Sequence, residues 1–218
     1  MHKAILLVGV FAFCGQANAQ TKAVDAPTTP QSFTAITPIF SQLVMLSYPR
    51  EFKPAFADTK DNAFYIQESV LAGETVDRWS QMITVTGLKG LAANPNMTAQ
   101  KMAEQTTTNF RRACPDTLST RSVGATKISG YDAFIAWGSC GTVQAGTDRR
   151  SESVLLVAIK GAADYYTVQW AERAAASSQP MTFDEAKWTG RLKQLAPIKI
   201  CARVPGEAAP YPSCLNQK

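Results

Sequence analysis

Residues 153–173, SVLLVAIKGAADYYTVQWAER, read as two strands around a turn. In the second run Tyr165, Thr167 and Gln169 point one way and Tyr166, Val168 and Trp170 the other, the two-residue period of a strand. The turn Gly161-Ala-Ala-Asp164 is short enough to join the runs only as an antiparallel pair. An antiparallel sheet is therefore the frame into which the rest of the chain must fit.

Working upstream, AFIAWGSC (133–140) gives another strand behind a Gly130-Tyr131-Asp132 turn. Before it, NMTAQKMAEQTTTNFRRAC (96–114) has the spacing of an amphipathic helix, capped by Asn96 or Thr98, with Met102, Thr106, Phe110 and Ala113 along one face. QMITV (81–85) and AFYIQESVLAG (63–73) alternate as strands, the latter with Phe64, Ile66 and Glu68 on one side and Tyr65, Gln67 and Ser69 on the other. This alternation lets Glu68 point inward. FSQLVMLSYP (40–49) is the first expected strand, and EFKPAFADTKDN (51–62) reads as a loop pinned by Phe52 and Phe56. Downstream, Thr182-Phe-Asp-Glu185 has the form of a capping box opening a helix to about Leu195, with Phe183, Ala186, Trp188 and Leu192 as its apolar side. Strands, one helix, more strands and a last helix make an α+β domain, an antiparallel sheet flanked by helices.

The first residues, MHKAILLVGVFAFCGQANAQ, read as a signal peptide: His2 and Lys3, an apolar run of Ala4 to Phe13, then Ala17-Asn18-Ala19 as a small-x-small cleavage site. The apolar run is too short for a bilayer-spanning helix, which needs about twenty residues, and no later run suits one. A lipoprotein site at Cys14 is disfavoured by the bulky Phe13 before it. The expected organisation is a signal peptide at 1–19, a disordered leader at 20–37, one domain at 38–200 and a disulfide-tethered tail at 201–218, in a periplasmic or secreted protein.

Removing the signal removes His2, the only histidine, and with it the usual general base and commonest metal ligand. Ser-His-Asp hydrolysis, Cys-His proteolysis and most zinc catalysis are thereby excluded. Four cysteines remain, Cys114, Cys140, Cys201 and Cys214, an even number that suggests two disulfides in an exported chain. Three pairings are possible. Cys114–Cys140 with Cys201–Cys214 is favoured, because the last two lie in a tail too rich in proline to be held by a core. A four-cysteine zinc site lacks paired C-x₂-C spacing. The net charge, +5 for the whole sequence, falls to +4 without Lys3, and the basic residues are scattered. No nucleic-acid motif accompanies them.

The stretch GETVDRW (73–79) places Glu74 and Asp77 beside an arginine and a tryptophan. Thr75 can cap a short helical turn there, the two acids are favoured near its start, and Trp79 is expected to anchor it under the sheet. Glu68, Glu74 and Asp77 are the candidates for paired-carboxylate chemistry on a glycan, which needs the carboxylates about 5–9 Å apart.

The blocks FYIQESVLAGETVDRWSQMITV, GYDAFIAWGSCG and SVLLVAIKGAADYYTVQWAER look like the strand blocks of exported bacterial proteins with the same plan. Through Gly-Glu-x-x-x-x-Trp, Gly-Tyr, and Gly followed by Tyr-Tyr, residues 38–200 resemble the Mog1/PsbP-like α/β/α sandwich. Members of that fold mostly bind partners rather than catalyse, so the resemblance implies a binding role, names no ligand and carries over no functional residue. The leading expectation is a non-enzymatic binding or accessory protein of the envelope, with a protein or envelope partner, no nucleic acid, no cofactor and no catalytic, cofactor-binding or metal residue. A carboxylate-dependent hydrolase of cell-wall glycans is the alternative.

Overall fold

The structure, a computed structural model, describes residues 31–216. The expected signal peptide, Cys14 and residues 20–30 of the expected leader lie outside the described residues. Strand β1 (Ser32–Ile39) and strand β2 (Gln42–Pro49) form a hairpin, so residues 32–37 of that leader are sheet, not coil. Phe52–Lys60, expected as a loop, is strand β3, and it pairs with β4 (Phe64–Leu71) across a bulge at Pro54/Phe56. Both misread strands are sheet edges. Proline at Pro38 and Pro54 is tolerated there because an edge strand leaves half its backbone donors unpaired.

The remaining strands are β5 (Gln81–Leu88), β6 (Leu118–Ile128), β7 (Tyr131–Ala145), β8 (Asp148–Lys160), β9 (Tyr165–Ala175) and β10 (Lys199–Ala202). All pairings are antiparallel. A seven-stranded sheet runs β3-β4-β5-β9-β8-β7-β6, and a second sheet, not foreseen, runs β1-β2-β10. The 153–173 hairpin is β8–β9, paired from Arg150↔Ala175 to Lys160↔Tyr165 at the centre of the large sheet.

The main core lies on one face of the large sheet, where Val44, Leu46 and Tyr48 of β2 meet Ile83, Trp137, Val157, Tyr166, Val168 and Trp170. Helix α2 (Glu185–Leu195) adds Trp188 and Leu195 to it. Its N-cap is Asp184, whose carboxylate accepts from Lys187 N, and not Thr182. On the opposite face helix α1 (Ala99–Thr108) sets Met102 and Ala103 against Phe134, Ala136, Leu156 and Tyr165. Thr98 is its cap, accepting from Lys101 N at 3.1 Å. The alternate residues of β2, Leu43 and Met45, face the outer side of the small sheet and pack with Cys201 and Cys214.

Both favoured disulfides are present. Cys114–Cys140 ties the segment after α1 to β7, with 5.6 Å between Cα atoms. Cys201–Cys214 joins β10 to helix α3 (Pro212–Leu215), with 5.5 Å. The expected tail thus begins inside a strand: Cys201 pairs with Leu43 of β2. No helix among the described residues is long and apolar enough to cross a membrane.

Candidate functional site

The three acids named from the sequence do not converge. Glu68 lies mid-strand on β4, opposite Phe56 and Thr84, on the face away from the main core. Burial raises its pKa above the ordinary value. Glu74 and Asp77 lie beyond the end of that strand, in the loop before β5. This loop is not a helical turn. Thr75 and Arg78 close it through reciprocal backbone bonds and an Arg78 N to Thr75 Oγ bond at 3.2 Å. Both Glu74 oxygens are occupied, accepting from Ser80 N at 3.0 Å and Ser80 Oγ at 2.6 Å. A carboxylate held by two donors within its own loop is a clamp on that loop.

Trp79 is half-buried and does not pass under the sheet. Its ring carries the guanidinium of Arg173 at 3.8 Å from the centroid, and Arg173 in turn pairs with Glu152 at 2.8 Å. The loop, Ala145, Asp148 and Arg150 enclose a polar cleft of about 230 Å³. On the core face, Glu172 holds both Lys187 and Arg191 of α2, and Arg191 lies over Trp170. These stacks fasten loop and helix to the ends of the strands.

A different concavity of about 700 Å³ opens where the two sheets part, at the opposite end of β4 and β5. Sequence reasoning missed it, because its walls come from six separate segments: the β1–β2 turn, the β3–β4 turn, β4, the end of β5, the β8–β9 turn and the residues after β10. Asp164 gathers three of them. Its Oδ2 accepts from Ser41 N at 3.0 Å, Ser41 Oγ at 2.5 Å and Tyr166 Oη at 3.2 Å, while Oδ1 accepts from Gly90 N at 2.7 Å. Burial pushes this carboxyl's pKa upward, but the four bonds outweigh it and hold the group below the ordinary carboxylate range. Gln42, 2% exposed, adds a second tie by accepting from Ala162 N at 2.8 Å and donating to Tyr131 Oη at 3.0 Å.

Phe40, the first residue of the β1–β2 turn, is held at φ 50°. A bulky side chain in the left-handed region costs about 1–2 kcal/mol, and glycine is the residue that turns of this kind favour. The ring nonetheless sits half-buried at the mouth. Its contact with Gly87 is close: a Cβ at Gly87 would stand 3.2 Å from the ring and would collide with Ile39 Cγ2. Two cations converge on this one residue. Lys89 Nζ lies 5.8 Å from the ring centroid, and Arg203 Nη1 donates to the Phe40 carbonyl at 3.1 Å. Neither forms an ion pair with a carboxylate among the described residues, and Asp164, the nearby acid, is saturated. Tyr65, Thr59 and Asn62 complete the rim.

Among the described residues there is no histidine, and no group of three His, Cys, Asp or Glu side chains is placed to hold a metal. No family model matches the sequence, and no curated protein does. Among solved structures the chain is similar to a protein from Bacteroides thetaiotaomicron, at TM-score 0.42 and 14% identity, over 81% of this chain and 50% of that one. The chain thus spans half the length of that protein. It is also similar to the Saccharomyces cerevisiae Ran-binding protein Mog1p, at TM-score 0.40 and 10% identity over 73% and 84% of the two chains. A third is cyanobacterial PsbP from Synechocystis, at TM-score 0.39 and 9% identity over 77% and 89%. The neighbours include both proteins from which the Mog1/PsbP-like fold takes its name.

Proposed function

We propose that this is a non-enzymatic binding or accessory protein of the bacterial envelope, exported to the periplasm or beyond, and that it binds through the mouth between the sheets. One observation carries the reading: Phe40 is kept in a costly backbone conformation at the rim of an open concavity, over-determined by the Asp164 bonds to its neighbour Ser41. Strain that the surrounding structure holds in place is a marker of functional sites. Two disulfides support an oxidising compartment.

The test is crosslinking in intact envelopes followed by co-purification. A partner should be retained at stoichiometric yield by a Glu74→Gln/Asp77→Asn variant and lost by Lys89→Gln/Arg203→Gln. Retention by the second variant and loss by the first would overturn the assignment of the mouth.

Glu68 is the one observation on the side of the glycan-hydrolase alternative, since a carboxyl with a raised pKa suits a general acid. The register sets Asp58 diagonally from it on the same face, but Asp58 Oδ1 accepts from Thr59 N at 2.7 Å. Release of sugars from peptidoglycan by the wild type, abolished in Glu68→Gln, would establish that alternative.

A further inference from the structure

The mouth's chemistry defines a ligand class, an inference that rests on the binding reading above. Its inner surface is apolar and aromatic, with Pro38, Phe40, Tyr65 and Ala163, while its charge comes from Lys89 and Arg203 alone, since Asp164 is sequestered by four hydrogen bonds. We propose that the mouth binds a small amphiphilic anion: one acidic headgroup seated between Lys89 and Arg203, attached to an aromatic or aliphatic body that lies against Phe40 and Tyr65.

Three features favour this occupant over a neutral one. Both cations line the mouth and touch the same residue, one at its ring and one at its carbonyl, and neither is in an ion pair with a carboxylate among the described residues. The guanidinium has donors to spare after its single bond to Phe40 O, and its planar fork suits a carboxylate, sulfonate or phosphate. Phe40 is projected to this position at a backbone cost, although glycine would satisfy the turn. A cation would meet two like charges and no available acid. A fully polar ligand would leave the aromatic surface unused.

The probe is 8-anilinonaphthalene-1-sulfonate, compared with neutral N-phenyl-1-naphthylamine, which has the same aromatic body without the acid. The protein should bind the sulfonate saturably with one site, and added salt should weaken it. Lys89→Gln/Arg203→Gln should lose tenfold or more in affinity for the sulfonate and little for the neutral dye. Phe40→Gly should weaken both. Lys101→Gln, on the exposed side of α1, serves as a charge control that leaves both unchanged, and thermal melts confirm that each variant is folded. Equal sulfonate affinity in wild type and the double variant, with affinity for the neutral dye still lowered by Phe40→Gly, would overturn the anion assignment and leave the binding mouth standing. If neither dye binds in a Phe40-dependent way, the mouth itself is refuted as a ligand site.

Discussion

Asp164 and Phe40 show how single residues set this mouth. In Asp164→Asn the amide nitrogen cannot accept, so either Gly90 N or the Ser41 and Tyr166 donors lose their partner. Leaving buried donors unsatisfied costs about 1–3 kcal/mol. Because the folded pKa is depressed, the carboxylate's contribution is complete above the unfolded value, about 3.9, and is lost as pH falls through the folded pKa. Melting curves should therefore show the wild type ahead of Asp164→Asn at pH 7, with the gap closing below about pH 4. A gap that widens in acid would contradict the clamp. At Phe40, replacement by glycine removes a half-buried ring but relieves the left-handed strain, two effects of about 1–2 kcal/mol each and opposite sign. Denaturant titration should show a change within about 1 kcal/mol although binding is weakened. Trp79 is half-buried, so Trp79→Ala should cost about 1–2 kcal/mol, mainly the stacked Arg173. The 3–5 kcal/mol of a fully buried tryptophan would place it in the core.

At the scale of elements, legibility followed burial. Strands β4 and β5 and helices α1 and α2 were visible in the sequence through a period of two or 3.6, and β8 and β9, buried on both faces between the two cores, through apolar runs on either side of a short turn. Strands β1 and β3 carry no such signal: SFTAITPI and FKPAFADTK are polar, interrupted by proline and largely exposed. They are strands because β2 and β4 offer them backbone partners, a fact about neighbours and not about composition. The GETVDRW loop was misread for the converse reason. Its acids and threonine match a helix start, but Glu74 spends both oxygens on Ser80 and keeps the chain non-helical. The disulfides act at this scale too. They join positions 26 and 13 residues apart, and loops of that size are stabilised by roughly 3 kcal/mol each. Alkylation without reductant should label none of Cys114, Cys140, Cys201 and Cys214 in the folded protein. Cys114→Ser/Cys140→Ser and Cys201→Ser/Cys214→Ser should each lower the melting temperature by several degrees. Quantitative labelling of Cys114 or Cys140 in the wild type would rule the pairing out.

Across the whole molecule, the small sheet and α2 cover one face of the large sheet and leave an opening at one end. The six segments around that opening are brought together only by the tertiary fold, and in the chain they run from Pro38 to Arg203. For this reason no local motif announces it, whereas the antiparallel sheet could be read from the β8–β9 hairpin and the α+β class from the order of strands and helices along the chain. The opposite end of the sheet, where Trp79 and Glu152 hold Arg173 and Ser80 occupies Glu74, has the acids and aromatic ring that attract attention in a sequence, but its cleft is polar and carries charges of both signs, Asp77 and Arg78 among them. Two cations beside an apolar, aromatic lining, with the one nearby acid already occupied, distinguish the mouth. The most direct measurement is site-specific photocrosslinking in intact cells, with p-benzoylphenylalanine placed at Thr59 on the rim of the mouth, at Asp77 in the loop and at the exposed Val123 on β6. The account predicts a discrete adduct from Thr59 that disappears in the Lys89→Gln/Arg203→Gln background, with none from Val123 or Asp77. A discrete adduct from Asp77 and none from Thr59 would contradict it.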